Sequence, residues 1–234
     1  MEISKPLRTV FVFFFLCPIL FSTCIRAERT LNAEKAIAIM TARYRLKAMF
    51  EARGLFYPPK EVAFIGLKQE KQLEIRAKVP TGWVKIKSYP ILKASGHPGP
   101  KLREGDLQVP EGVYKISRLN PESSYYLSLK INFPNEFDLE HAEAENRTEP
   151  GSDIFIHGKD VSTGCLAMGD PAIEEIYTLA YDTGHENIAV VIAPNDLRTS
   201  APVTKMESAP TWTGDLYAEI QTQLRNYSKV EKVR

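Results

Sequence analysis

From residue 62 onward the chain consists largely of short apolar segments separated by turn residues. Leu73–Val79 alternates apolar and polar side chains, which is the pattern of a strand with one buried face. The other segments are Val62–Ile65, Val84–Ile86, Val113–Ile116, Tyr125–Ile131, Ile154–Ile156 and Ile188–Ile192. Segments this short, at this spacing, are typical of a β-sandwich or barrel. The sequence therefore predicts a mainly β fold with flanking helices.

Helical periodicity occurs on both sides of these strands. Residues 32–53 repeat apolar side chains at steps of three and four, and Gly54 supplies a stop. Pro171–Tyr181 and Trp212–Tyr227 show the same periodicity, so we expect two further helices there. Residues 134–153 are polar and acidic, and we expect them to form a surface excursion rather than core.

The N-terminus has the features of a secretory signal. Lys5 and Arg8 precede the apolar run Thr9–Phe21, and small residues lead to a plausible cut at Ala27. Export would place the mature chain in the periplasm or another extracytoplasmic space. We therefore predict a signal peptide at 1–27, followed by three regions. These are an N-terminal helix at 28–56, a catalytic domain at 57–195, and a C-terminal helix and tail at 196–234.

Two alternatives to a cleaved signal stay open. The first is an uncleaved membrane anchor, although the run is shorter than the roughly 20 residues a spanning helix needs, and Pro18 interrupts it. The second is lipidation at Cys24, although Phe21-Ser22-Thr23 is a poor match to the sequence that precedes a lipidated cysteine.

Cys165 would be the only thiol left after cleavage at Ala27. A single cysteine cannot form an internal disulfide, so it is either an inert buried thiol or a nucleophile. His157 lies eight positions upstream at the end of an apolar run, within reach of a turn, and an imidazole can take the thiol proton. Gly164 allows a tight turn, so the N–H groups of Gly164 and Cys165 could form an oxyanion hole.

The spacing of these residues resembles the signature of the YkuD-type L,D-transpeptidase catalytic domain. His157-Gly158 followed by Ser162-Thr163-Gly164-Cys165 carries the resemblance. The upstream stretch agrees with it: Gly99-Pro100-Lys101, Glu104-Gly105-Asp106, Gln108, Pro110–Tyr114, Tyr126–Leu129 and Asn132–Asn135. The resemblance covers roughly residues 60–195. Thr163 stands where the family usually has histidine, and Leu166-Ala167-Met168 replaces the usual arginine; both features resemble the YafK-like branch.

The resemblance implies the L,D-transpeptidase sandwich or barrel and a cysteine enzyme of bacterial cell-wall metabolism that acts on peptidoglycan stem peptides. It implies Cys165 as nucleophile and His157 as general base, with the Gly158 carbonyl orienting the imidazole. The acyl-enzyme would pass to an amine, or to water in a carboxypeptidase or amidase. The YafK-like branch adds lipoprotein–peptidoglycan links as possible substrates. A cell-wall-binding module without catalysis is the alternative of another class.

Several side chains near these motifs have open roles. Ser162 either assists through its hydroxyl or only caps the turn. Lys101, Thr163 and Tyr126 are candidates for substrate contact, although for Lys101 local turn hydrogen bonds are the competing explanation, and Thr163 is expected to shape the pocket.

Composition and spacing argue against other partners. A net charge of +1 gives no excess of base to neutralise phosphates, so we expect no nucleic acid. His97, His141 and His185 lie in polar segments without metal-ligand spacing, so we expect no metal. No motif indicates a cofactor.

Overall fold

The computed structural model describes residues 18–206 and 209–229, with side chains from residue 33 onward. Residues 1–17 of the predicted signal and the last five residues of the predicted tail lie outside the described residues. The chain divides into one unit that ends at Ala38 and a second from Ile39 onward. Within the described ranges, no helix has the length and apolar character needed to cross a membrane.

Nine strands form one continuous sheet in the described part of the chain. They are β1 Val62–Leu67, β2 Gln72–Val79, β3 Gly82–Pro90, β4 Lys93–Ala94, β5 Gly112–Ser123, β6 Tyr126–Ile131, β7 Phe155–His157, β8 Leu166–Ala167 and β9 Ile188–Ala193. Their order is β3-β2-β1-β9-β5-β6-β7-β8-β4. The helices are α1 Pro18–Glu51, α2 Glu136–Ala144, α3 Asp170–Thr183 and α4 Thr213–Asn226, with a 3-10 turn at His185–Asn187. The predicted mainly β fold with flanking helices is confirmed.

The long strand β5 joins the two halves of the sheet. Its first residues, 112–115, pair with β9, and residues 116–123 pair with β6. One half therefore contains β1, β2, β3 and β9, while the other contains β4, β6, β7 and β8. The second half carries the His157 and Cys165 segments at its far end.

Both faces of the central strands are covered. Every residue of β1 is buried, and the parallel pair β1–β9 is almost wholly apolar, as expected for strands with a core on each side. Phe64 belongs to the main core with α3, whereas its neighbour Ile65 belongs to a second core. In that second core α4 contributes Leu216, Ile220 and Leu224, which recur every four residues along one helix face.

Helix α2 lies within the stretch that we expected to be a surface excursion rather than core. The side chain of Asn135 accepts the N–H of Asp138, and the Asp138 carboxylate accepts the N–H of Asn135. This reciprocal capping box satisfies two N–H groups that the helix start would otherwise leave unpaired. Only Ala142 of α2 is buried, so the helix lacks the apolar periodicity that would have indicated it.

Candidate active site

Strands β7 and β8 place His157 and Cys165 on the same face of the sheet. The two strands run parallel, with Ile156 opposite Leu166 and His157 opposite Ala167. Cys165, which precedes β8, therefore lies beside Phe155, and the Phe155 N–H donates to its Sγ at 3.4 Å. Because alternate residues of a strand share a face, His157 and Cys165 are diagonal neighbours. The turn between them brings the predicted pair together, although no hydrogen bond joins the two side chains in the described part of the chain.

The imidazole of His157 is buried and held in one orientation. It is only 2% exposed, and its Nδ1 lies 2.6 Å from the Gly158 carbonyl oxygen. Since a carbonyl can only accept, Nδ1 carries the proton and Nε2 keeps its lone pair. The turn has no space for a side chain at Gly158, where a Cβ would lie 2.7 Å from Asp170 Oδ1 and 2.8 Å from the Tyr125 carbonyl oxygen. Glycine at position 158 therefore fits this turn, and its carbonyl oxygen accepts the hydrogen bond from Nδ1 of His157.

A tyrosine that the sequence analysis did not select covers the histidine. The rings of Tyr125 and His157 have centroids 4.6 Å apart and planes inclined by 37°. The predicted contact residue was its neighbour Tyr126, whose hydroxyl instead donates to Glu174 Oε1 in α3 at 3.2 Å. The two tyrosines lie at the tight connection between β5 and β6, where Tyr126 has φ of +77°. Successive side chains there point in different directions, which the sequence alone does not resolve.

Two serines hold the turn before the nucleophile. Ser162 Oγ donates to the Cys165 carbonyl at 2.7 Å, which is the turn-capping role considered for it. Ser162 Oγ also accepts the N–H of Ser95 at 3.1 Å, and the two hydroxyls are 3.2 Å apart. Ser95 lies 67 residues earlier in the chain, so no local motif could have identified it.

The two N–H groups expected to form an oxyanion hole differ in whether they already have a hydrogen-bond acceptor. The Gly164 N–H donates to Ser95 Oγ at 2.6 Å, so its hydrogen bond is already made. The Cys165 N–H has no acceptor among the described residues. Gly164 has φ of +108°, a conformation that side-chain-bearing residues rarely adopt, and this is why glycine precedes the nucleophile.

The other two predicted contact residues differ in their surroundings. Lys101 is buried, and its Nζ donates to Asp106 Oδ1 at 2.6 Å and to the Arg103 carbonyl at 2.9 Å. Local turn hydrogen bonds, the alternative considered for Lys101, therefore occupy its ammonium group. Thr163 is exposed at the surface of the turn.

A buried ion pair anchors the loop at residues 99–109, which carries Lys101 and Gln108. Lys68 Nζ, at the end of β1, lies 2.9 Å from Glu111 Oε1, and their side chains are 4% and 0% exposed. Lys68 also donates to the carbonyls of Gly99 and Val109, so one ammonium group holds both ends of the loop. Glu111 accepts the Gly99 N–H at 2.7 Å and the Tyr217 hydroxyl of α4 at 2.9 Å.

Burial sets the protonation states at the site. It lowers the pKa of His157 below its ordinary value of 6.5, only partly offset by the bond to Gly158. Burial also raises the pKa of the Cys165 thiol above 9.0, against the smaller effects of the Phe155 N–H and Lys101. Near neutral pH the resting site therefore holds a neutral thiol and a neutral imidazole. His157 is poised to act as a general base at the moment of attack.

This protonation state predicts how alkylation of Cys165 depends on pH. The thiolate fraction should rise with pH toward a pKa above 9.0, so the rate with iodoacetamide should climb steadily from about pH 6 to about pH 9. A preformed thiolate–imidazolium pair would instead give a rate plateau below neutral pH. Second-order alkylation rates across this range, with a small-molecule thiol as reference, distinguish the two; a plateau would contradict the neutral resting state.

The remaining histidines are engaged elsewhere. His97 lies against Gln108, His141 stacks on Trp212 with ring centroids 4.6 Å apart, and His185 is 3.6 Å from Glu186. Among the described residues no group of three His, Cys, Asp or Glu side chains converges as a metal site.

Comparison with known proteins adds a family and a set of relatives. The family model of the YkuD L,D-transpeptidase catalytic domain matches residues 65–217. A protein of Escherichia coli K12 named "Putative L,D-transpeptidase YafK" is 39% identical over 132 residues, 54% of this chain and 51% of that protein. A protein of the same name from Escherichia coli O157:H7 matches equally well. The chain spans about half the length of the curated relatives it matches.

Two solved structures show weaker likeness. The helical cell shape determining protein Pgp2 from Campylobacter jejuni is 22% identical with a TM-score of 0.48, over 60% of this chain and 50% of that one. L,D-transpeptidase 1 of Mycobacterium tuberculosis is 10% identical with a TM-score of 0.31, over 56% of this chain and 61% of that one. The YkuD match covers more than half of the chain and includes both His157 and Cys165. The chain therefore belongs to the L,D-transpeptidase catalytic domain family.

Proposed function

We propose that this protein is an exported cysteine acyltransferase that attacks peptidoglycan stem peptides and forms an acyl-enzyme on Cys165. The observation that carries the proposal is the diagonal placement of Cys165 and His157, with Nδ1 of the imidazole bound to Gly158 and Nε2 left as a base. The family indicates the substrate class. A peptidoglycan-linked lipoprotein, which the resemblance to the YafK-like branch implies, is a second candidate substrate.

The first half of the reaction transfers the acyl group to sulfur. Nε2 of His157 takes the thiol proton as Sγ bonds to the peptide carbonyl carbon, and negative charge develops on the carbonyl oxygen. The free N–H of Cys165 can donate to that oxygen at once. The Gly164 N–H must first break its hydrogen bond to Ser95 Oγ. Collapse of the tetrahedral adduct breaks the C–N bond, and the imidazolium returns its proton to the departing amine.

The second half reverses these steps with a different nucleophile. Nε2 takes a proton from an incoming amine or from water, which attacks the thioester carbonyl. Collapse then breaks the C–S bond, and Sγ recovers the proton. Transpeptidation and hydrolysis share the acyl-enzyme and differ only in the molecule that attacks it. Export to the periplasm or another extracytoplasmic space, directed by the segment at 1–27, would bring the site to the cell wall.

Incubation of the purified protein with tetrapeptide muropeptides tests this function. A transpeptidase is expected to produce cross-linked dimers, and a carboxypeptidase is expected to produce tripeptides. An amidase is expected to release a lipoprotein peptide when the substrate is a sacculus that carries the lipoprotein. Each of these requires an acyl-enzyme on Cys165. In a separate incubation with a carbapenem, mass spectrometry should therefore detect a single covalent adduct, located on Cys165. A protein that binds peptidoglycan yet yields neither product nor adduct would be a wall-binding module, and the proposal would fail.

A further inference from the structure

A cleft of about 840 Å³ opens beside the catalytic turn and has no part in the chemistry described above. Three segments line it: the loop from His97 to Gln108, the stretch from Asn146 to Glu149 that follows α2, and Lys205 with Met206. The Lys205 N–H donates to the Pro98 carbonyl at 3.1 Å, which fixes the third segment against the first. The segment with Lys205 and Met206 is therefore attached through the backbone to the loop that forms the first wall of the cleft.

The charges in the cleft favour an anion. Of its two carboxylates, Asp106 is satisfied by Lys101 Nζ and by three backbone N–H groups. The ammonium of Lys101 balances its charge, which leaves Glu149 as the acidic group in the lining. Arg103, Arg147 and Lys205 are the cations. Glu145 partly compensates Arg147, so Arg103 and Lys205 face one uncompensated carboxylate and the lining is net positive.

These cations differ in how firmly they are held. Arg147 donates through Nε to Glu145 and through Nη1 to the Leu102 carbonyl, so its position is fixed and part of its charge is compensated. Its remaining N–H groups have no partner among the described residues. The side chains of Arg103 and Lys205 are exposed and likewise make no described ion pair. Arg103 and Lys205 thus have whole charges available for a ligand.

The cleft adjoins the nucleophile through two of its own segments. The carbonyl oxygen of Gln108 would lie 3.3 Å from a Cβ on Gly164, while the Gln108 side chain contacts His97 in the cleft. The segment that leaves the cleft at Glu149 continues to Asp153, whose carbonyl oxygen lies 3.9 Å from Sγ of Cys165. Two walls of the cleft therefore continue directly into residues that contact the catalytic turn.

We propose that this cleft binds a free carboxylate of the peptide whose carbonyl Cys165 attacks, with Arg103 and Lys205 as the direct ligands. The identity of the ligand as that peptide rests on the proposed function. Guanidinium and ammonium groups form charge-assisted hydrogen bonds with carboxylates, and these bonds are lost when the carboxylate is converted to an amide. The cleft would then select acyl donors with free carboxylates over amidated ones.

Binding to a protein that cannot react tests the cleft apart from catalysis. In the Cys165→Ala background, calorimetry would compare a stem tetrapeptide that has free carboxylates with its fully amidated counterpart. Arg103→Gln and Lys205→Gln should each weaken binding of the free form about tenfold and leave the amidated form unchanged. Lys47→Gln, which removes an exposed cation on α1 outside the cleft, is the matched control and should change neither affinity.

The outcomes separate this proposal from the proposed function. Equal affinity of the Cys165→Ala protein for the two peptides, or a loss in Lys47→Gln equal to that in Arg103→Gln, would overturn the carboxylate site. A preference for the free carboxylate that Arg103→Gln and Lys205→Gln remove would support the site. That result would stand even if the wild-type protein formed no acyl-enzyme, which would overturn only the proposed function.

Discussion

Replacing Cys165 with alanine should reduce muropeptide turnover to the background rate, a loss on the order of 10⁴-fold or more. The reason is that no nearby group can replace the sulfur. The hydroxyl of Ser162 is committed to the Cys165 carbonyl and to Ser95, and Thr163 is exposed. Product analysis by chromatography, with the wild-type protein alongside, measures the loss.

The same variant should keep its fold. Sγ accepts one weak hydrogen bond from the Phe155 N–H at 3.4 Å, and the side chain is only half-buried. Its removal should therefore change the free energy of unfolding by no more than about 1 kcal/mol. Circular dichroism and a denaturant titration provide this control. Turnover that persists in the folded variant would show that another residue is the nucleophile.

The Cys165–His157 pair was predictable because its geometry is local. Eight positions separate the two residues, and the histidine ends an apolar run. Gly158 directly follows the histidine, and Gly164 directly precedes the cysteine. The structure adds the parallel register of β7 and β8, which determines that both side chains share a face. A shift of one residue would have sent Cys165 to the opposite face.

Other parts of the site depend on contacts between residues far apart in sequence. Ser95 reaches Gly164 because β4 pairs with β8, and nothing near Ser95 in the sequence indicates that pairing. Tyr125 rather than Tyr126 covers His157 because of the backbone conformation at one tight turn. Helix α2 is the reverse case, since Asn135 and Asp138 form a capping box that could be recognised from the sequence.

Removing the carboxylate of Glu111 should cause a large loss of stability. Glu111→Ala would leave the ammonium of Lys68, 4% exposed, without its counter-charge, and would also remove the acceptor of the Gly99 N–H and of the Tyr217 hydroxyl. Loss of one partner from a buried ion pair typically costs about 3–5 kcal/mol. A denaturant titration should show this decrease in the free energy of unfolding. Lys130→Ala, which breaks the more exposed pair with Asp153, should cost less than about 1 kcal/mol.

A double variant separates the cost of an unpaired charge from the positioning of the loop. Lys68→Met with Glu111→Leu removes both charges and fills similar volume, so much of the stability lost in Glu111→Ala should return. The loop should still be displaced, because the double variant lacks both groups that hold it. Lys68 binds the carbonyls at both ends of the loop, and Glu111 binds the Gly99 N–H. Turnover should then stay low although the protein is folded, since Gln108 of that loop packs against Gly164 in the catalytic turn. Wild-type turnover in the stable double variant would contradict the positioning role and leave the pair with a purely structural one.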